Sequence, residues 1–447
     1  MIFNFITSAY IKLRTNMSTP TSNTFSAPQT QSASTSTNSS NRAILQVAII
    51  GISGFGRVHH AMIESGIQRN EFKLAAAAII NQSEEPEKCA KMLAEGVEVF
   101  EDFQEMLDRW HGKIDICFIP TGIHLHAPMT IAALQAGANV FVEKPAAATI
   151  QEVHEMQAAE QSSSRFVAVG YQTIYASETM LMKQAILTGR IGKLKAVKCM
   201  GLWPRLESYY SRNDWAGRLK LGEDWLLDSP FNNAISHQLN MICFLAGPQQ
   251  NESANIADIQ AELYRSRKIE SPDTACIRCH SESGVPLYFF GTHSSRQTVD
   301  PEIHVVGDAG SIHWTFEQTL IHDVSGNTQT IDNECRDELR ERILDCLVER
   351  THSPKAFICD LEIASAQTRC VNGAHESSDV RAIPEQYISR HEEHEGDTKI
   401  EIKGIDELIF KAFEQEKLFS ELDCPWAKPG QTIELRNYKH FPSIRQF

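Results

Sequence analysis

Two groups of side chains in this sequence have the types and spacing for proton chemistry. The first is Glu143-Lys144-Pro145, which closes the run Asn139-Val140-Phe141-Val142. Val140, Phe141 and Val142 are strand formers. Pro145 cannot continue a central ladder and biases Lys144 toward an extended backbone. Glu143 and Lys144 are therefore expected at the carboxyl end of a strand, which is where open parallel α/β sheets bind ligands. The second group lies on a helix predicted over 229–240. Asp228 or Ser229 can cap it, Pro230 suits its first turn, and Gly247-Pro248 ends it. Asn233, His237 and Asn240 share one face. A lysine and a histidine can each hold or pass a proton.

The elements that must position Lys144 begin at Leu45. Leu45 to Ile50 reads as a buried strand and runs directly into Gly51-Ile52-Ser53-Gly54-Phe55-Gly56. A helix is expected from about 54 to 65. Strand, glycine turn and helix form the context of a dinucleotide fingerprint, whose glycines let the backbone approach a pyrophosphate at the helix N-terminus. With Gly51 and Gly56 as the outer glycines, Ser53 takes the middle position and can offer its hydroxyl to phosphate. A second strand, 73–80, ends at Asn81. Asn81 can bond the ribose hydroxyl of NAD without charge and also tolerates the 2′-phosphate of NADP. Ser83 and Arg57 could receive that phosphate, whereas Glu84 and Glu85 would repel it, so both cofactors stay open.

Further units repeat the theme. A helix over 103–110, a strand over 114–119, the loop Pro120-Thr121-Gly122-Ile123-His124-Leu125-His126 and a helix from Pro128 lead to the strand before Lys144. Another helix, 150–161, leads to a strand at 166–169 and then Gly170-Tyr171-Gln172. This alternation predicts a doubly wound parallel sheet.

The runs at 51–59, 115–126, 133–145 and 167–172 resemble the Gfo/Idh/MocA oxidoreductases, the family of glucose-fructose oxidoreductase and inositol dehydrogenase relatives. The resemblance implies an α/β protein. Its first domain is an NAD(P)-binding Rossmann domain, placed at 43–170. The second, placed at 171–447, is an α/β substrate domain with a large, mostly antiparallel sheet through which homo-oligomers form. It implies that Glu143 and Lys144 flank the nicotinamide ribose, with Lys144 touching the substrate. Pro120, Thr121, His124 and His126 line the cofactor crevice by the same carry-over. The family commonly has an Asp four residues before the histidine of the second group, where this chain has Asn233 and His237. An Asp would stabilise the imidazolium, whereas an Asn can only orient the ring, so Asp228 is the candidate for the missing charge. The implied activity is NAD(P)-dependent hydride transfer on a sugar, polyol or related compound. A hydrolase or lyase using bound NAD transiently on a glycoside, and a non-catalytic dinucleotide or sugar sensor, are the alternatives.

Strand-like alternation recurs at 193–200, 259–264, 274–280 and 285–292. Between the first two lies a polar, aromatic-rich loop from Trp203 to Trp225, expected to cover the substrate. Tyr171, Gln172, Trp203, Tyr210 and Arg212 are its candidate contacts. From 330 onward the pattern shows three helices and a Pro- and Trp-containing tail without chemistry.

Bulk properties narrow the partners. The net charge of −15 in 447 residues and the lack of a basic stripe argue against nucleic acid. No apolar run is long enough to span a bilayer. Eleven scattered cysteines fit free thiols in a reducing cytoplasm. Residues 1–42 form a Ser/Thr-rich tail expected to be disordered. Cys276-Ile277-Arg278-Cys279-His280 matches a haem-attachment pattern, but strand alternation puts the two cysteines on opposite faces. His391-Glu392-Glu393-His394 lacks the histidine spacing of a zinc motif. No metal site is expected.

Overall fold

Six short apolar runs pair in parallel: β1 (Leu45–Ile50), β2 (Phe72–Ala78), β3 (Glu98–Phe100), β4 (Ile116–Ile119), β5 (Asn139–Val142) and β6 (Val167–Val169). Their order is β3-β2-β1-β4-β5-β6. This computed structural model describes residues 43–393 and 396–445. The expectations for the 1–42 tail and for His394 lie outside the described residues. Every residue of β4, β5 and β6 is buried, as strands covered by helices on both faces must be. The strand order reverses between β1 and β4, which opens a crevice at the carboxyl ends. The register aligns Ile119 with Val142 and Val142 with Val169. Pro120, Glu143 and Gly170 thus leave the sheet at one level.

Local signals set the helices between these strands. The glycine turn delivers the helix Gly56–Gln68. Thr149 and Glu152 form a capping box that starts the helix Ile150–Ser163. The stretch expected as one helix from 229 is two pieces, a π-helical turn Pro230–Ala234 and the α-helix Ser236–Leu245.

The second sheet has ten strands. Its first strand is β7 (Leu194–Leu202), and the small hairpin β8 (Lys220–Leu221) and β9 (Asp224–Trp225) stands apart. Then follow β10 (Ile256–Arg265), β11 (Thr274–Ser281), β12 (Pro286–Thr292), β13 (Val299–Gly307), β14 (Ser311–Trp314), β15 (Gln318–His322), β16 (Thr328–Asp332) and β17 (Val380–Ala382). A separate pair, β18 (Ile388–Glu392) and β19 (Thr398–Ile402), precedes β20 (Ile433–Glu434), which joins β10. The order is β16-β15-β14-β13-β7-β12-β11-β10-β17, antiparallel except for the β7–β12 and β10–β17 pairs. Asp300, Pro301, Glu302 and His304 interrupt the apolar alternation of β13, and β14 to β16 have only four or five residues each, so no sequence pattern marks these strands. β16 has no buried residue.

The inner face of this sheet, with Ile259, Ile277 and Phe289, belongs to the main core together with the helices Ser236–Leu245 and Leu361–Ser377. The latter helix ties the two sheets together. The Asn372 side chain accepts from the Ile150 amide and donates to the Ala148 carbonyl, both at 2.8 Å. The outer face is partly occupied by the chain itself. Met200, Leu202, Tyr264 and Phe290 form a second core with Ile405, Ile409, Phe419 and Trp426. The segment following β17 therefore covers much of the surface on which self-association was expected.

Candidate active site

Lys144 leaves the end of β5 and turns into a cleft of about 520 Å³ between the two sheets. Its Nζ donates to the Asn233 carbonyl at 2.9 Å and to Asn233 Oδ1 at 3.2 Å. Asn233 Nδ2 in turn donates to Asp228 Oδ1 at 3.0 Å. Asp228 is buried, and its other oxygen accepts from the Gly217 amide at 2.7 Å. The Asn233 side chain thus bridges the ammonium and a carboxylate. The π-helical turn is what presents both the Asn233 carbonyl and its side chain to Lys144. Burial lowers the Lys144 pKa, and the charges of Glu143 and Asp228 work against that shift. Burial raises the Asp228 carboxyl, against its bonds to Gly217 and Asn233.

Glu143 faces the other way. Its Oε2 lies 3.2 Å from His59 Nε2, and the His59 ring stacks on Phe141 at 4.9 Å. Burial pushes the Glu143 carboxyl up, but His59, Lys144 and His237 outweigh it and hold the pKa below the ordinary value. A Cβ at position 170 would sit 2.8 Å from Glu143 Oε2, so any larger residue there would push that carboxylate aside.

His237 lines the same cleft, with its ring 5.7 Å from that of Tyr171 in an edge-on arrangement. Burial, reinforced by Lys144, lowers its pKa to about 3, so the ring is neutral at ordinary pH. The Asn233 side chain is engaged with Lys144 and Asp228 rather than with this ring. His237 Nδ1 and the Tyr171 hydroxyl are buried without hydrogen-bond partners.

The opposite rim carries a glycine turn that could hold a dinucleotide. Gly51 and Gly54 have φ of +89° and +56°, and a Cβ on Gly56 would lie 2.7 Å from the Gly51 carbonyl. Nothing lies within 4 Å of a Cβ built on Gly54, and Phe55 is 52% exposed beside the cleft. Thr121 Oγ1 and His124 Nδ1 are buried without partners, which suits groups awaiting a polar ligand. Ser53, Asn81 and Pro120 stand at the ends of β1, β2 and β4. His126 is different. It is fully buried, with ring nitrogens 2.7 Å from the Pro145 carbonyl and 3.1 Å from the Thr121 carbonyl. It locks the two loops together.

Of the expected substrate contacts, Gln172 and Trp203 line the cleft, while Tyr171 packs behind His237. Tyr210 instead bonds His293 at 3.1 Å, and Arg212 stacks on Tyr209 at 3.6 Å. The loop's neighbouring residues take their place. The Arg205 guanidinium lies 5.5 Å from the Trp203 ring and 5.1 Å from Tyr209. Trp203 stacks on Phe316 and donates to Asp300 at 2.9 Å.

The helix Arg336–His352 supplies a wall that the sequence pattern had left without chemistry. Arg336, Leu339, Arg340 and Ile343 line the cleft. The helix is held on Gly56–Gln68 by Ser65 and Arg69, which donate to Glu341 at 2.6 and 2.8 Å. The run of charges at its start resembles a solvated face, so no local signal marked it.

Residues 45–171 match the profile described as "Oxidoreductase family, NAD-binding Rossmann fold", and residues 179–313 match the GFO/IDH/MocA C-terminal domain. The chain belongs to the Gfo/Idh/MocA oxidoreductase family. Within the family it is 25% identical over 206 residues to an inositol 2-dehydrogenase of Azotobacter vinelandii, covering 45% of this chain and 54% of that one. It is 26% identical over 234 residues to a 1-carboxy-3-chloro-3,4-dihydroxycyclohexa-1,5-diene dehydrogenase of Comamonas testosteroni, covering 51% and 54%. The chain thus spans about half the length of these curated relatives. Among solved Gfo/Idh/MocA-like folds, an NAD-binding oxidoreductase from Klebsiella pneumoniae superposes with a TM-score of 0.63 at 19% identity, covering 74% of this chain and 96% of that one. The WlbA dehydrogenase from Bordetella pertussis, in complex with NADH and UDP-GlcNAcA, superposes with a TM-score of 0.59 at 20% identity, covering 75% and 97%. Both share the fold.

Proposed function

We propose that this protein is an NAD(P)-dependent oxidoreductase acting on the hydroxyl or carbonyl group of a sugar, polyol or related compound. The observation that carries the proposal is Lys144, half-buried at the end of β5 and tied through Asn233 to Asp228. Gly51, Ser53, Gly54, Phe55 and Gly56 would hold the dinucleotide, which when bound would supply the hydride donor or acceptor. Lys144 exchanges the proton of the substrate hydroxyl at its Nζ. Its lowered pKa brings the neutral, proton-accepting form within reach. Asn233 aims the ammonium, and Asp228 compensates its charge. His237 serves as a neutral hydrogen-bonding partner for the substrate. Trp203 and Tyr209, packed with Arg205, line the side of the cleft where a substrate ring would sit, with Arg205 and Asp300 as its polar contacts. The similarity to inositol dehydrogenases supports the polyol class.

For the cofactor, Glu85, paired with Lys88 at 2.8 Å, also acts on Arg57 and Ser53, and its negative charge favours NAD over a 2′-phosphorylated dinucleotide. The unpaired state of all eleven cysteines supports a reducing, cytoplasmic setting. No described helix is long and apolar enough to cross a membrane. A homo-oligomer through the large sheet would use the strip left uncovered around Gln260, Arg278 and His280.

The test is a nicotinamide-absorbance screen over sugars and polyols with both cofactors, and with Lys144→Ala as control. Turnover lost in the variant is the expected result. Product formed without net absorbance change would assign transient use of the dinucleotide instead. Cofactor binding without product would assign a sensor.

A further inference from the structure

The outer face of the large sheet carries a second cluster of chemically capable side chains, separate from the cleft. Glu302 and His304 are two apart on β13 and point to one face. His313 on β14 is the direct cross-strand partner of His304. One ligand atom from each of the three lies within 4.8 Å of the others. The next residue along β14, Trp314, lines the cleft, so His313 points to the opposite side of the sheet.

We propose that Glu302, His304 and His313 form a binding site for a first-row divalent cation of the zinc type. Two imidazoles, one carboxylate and an open fourth position make up a common zinc donor set. Zinc bonds of about 2.0–2.1 Å place neighbouring ligand atoms about 3.3 Å apart in a tetrahedron. His313 Nε2 and Glu302 Oε2 already stand at 3.0 Å. His304 Nε2 is buried without a hydrogen-bond partner, so the ring has a donor atom to spare. Phe413 packs edge-on against His304 at 4.8 Å and shields one side. Lys198, the β7 partner of His304, is engaged elsewhere, donating to the Phe413 carbonyl at 3.0 Å and to Glu416 at 3.1 Å. Spacing along the chain hides the set, because the turn between β13 and β14 separates ligands that the antiparallel register brings together.

The experiment uses the full chain without a histidine tag, stripped with EDTA and titrated with zinc chloride by calorimetry. A one-equivalent binding step is expected. It should disappear in Glu302→Gln and in His313→Ala. His304→Asn, which leaves the Glu302–His313 pair in place, serves as a third variant in case either of the first two misfolds by circular dichroism. Cobalt(II) added in place of zinc should give a visible ligand-field band in the native protein that is absent from the folded variants. Lack of a one-equivalent step in the native protein, or a step that persists in every folded variant, overturns the proposal.

Discussion

Two histidine–glutamate pairs of nearly the same geometry occupy different parts of this molecule. His59 and Glu143 meet at 3.2 Å on the Rossmann side of the cleft, and His313 and Glu302 meet at 3.0 Å on the outer face of the large sheet. Both carboxylates are largely shielded, with side-chain exposures of 11% and 8%. What separates them is the next neighbour. Beside Glu143 stand Lys144 and the crevice at the strand ends, so that pair shapes the charge of the proposed proton-transfer group. Beside Glu302 stands a second imidazole with an unused nitrogen, so that pair shapes a cation nest. A bare pair carries no function. The third group and the space it faces decide the chemistry.

The comparison can be broken most completely at Lys144. Lys144→Ala should reduce kcat by about 10²–10⁴-fold, the usual weight of a positioned acid–base group. Steady-state kinetics measures it, and the thermal unfolding profile should stay close to the native one. The next largest effect is on pH dependence. In the oxidative direction Lys144 must be neutral, so kcat rises as pH passes its pKa, at a midpoint below the ordinary lysine value of 10.5. Asn233→Asp adds a negative charge beside the ammonium and stabilises it, so the midpoint should move to higher pH, by about one unit. Glu143→Gln removes a negative charge and should move it to lower pH. His237, with a pKa of about 3, should leave no inflection between pH 5 and 9. If both substitutions move the midpoint the same way, the electrostatic reading of the first pair is wrong.

A smaller change comes from sterics. Gly170→Ala forces the Glu143 carboxylate off its place, since the new Cβ would lie 2.8 Å from Oε2. Turnover should drop by about tenfold, the cost of a mispositioned group near the chemistry. The smallest effect belongs to the second pair. Glu302→Gln should leave kcat and KM within about twofold of native, since the strand alternation points its side chain away from the cleft. A large loss of turnover in Glu302→Gln would show that the two faces of the sheet are coupled.

The Rossmann half was readable in outline. The strand end at Lys144 and the glycine turn appeared where expected, with the helix Gly56–Gln68 off by a few residues. The loop expected through His126 is instead part of one helix, Ile123–Gln135, which carries Pro128 inside it, and the helix Pro86–Ala94 and strand β3 had no marked signal. The second domain was readable in part. Four of its strands were anticipated; β13 was missed because polar residues and Pro301 interrupt its alternation, and β14 to β16, like β8, β9 and β17 to β20, are too short to show one. At the site, Lys144, His237, Asn233 and Trp203 converge on one cleft. Asn233 belongs to Lys144 rather than to His237, because a π-helical turn replaced the regular spacing from which their pairing was inferred. Arg336 and Arg340 were passed over, since charged residues on a helix read as solvated until another helix is packed against them.

Residue order alone was enough for features that act over a few neighbours. A proline after an apolar run stops a strand, glycines allow a tight turn, and a Thr–Glu capping box starts a helix, each by local sterics or hydrogen bonding. It was also enough for the family, whose signature runs are short and local. Folding was needed for everything that depends on long-range pairing. The Lys144–Asn233–Asp228 chain joins the two domains. The cleft wall draws on Trp203, Asp300, Trp314 and Arg336 from four distant segments. The outer-face cluster exists only because an antiparallel register sets His304 against His313. Such contacts come from burying two sheets and a covering segment together, and no window along the chain contains them.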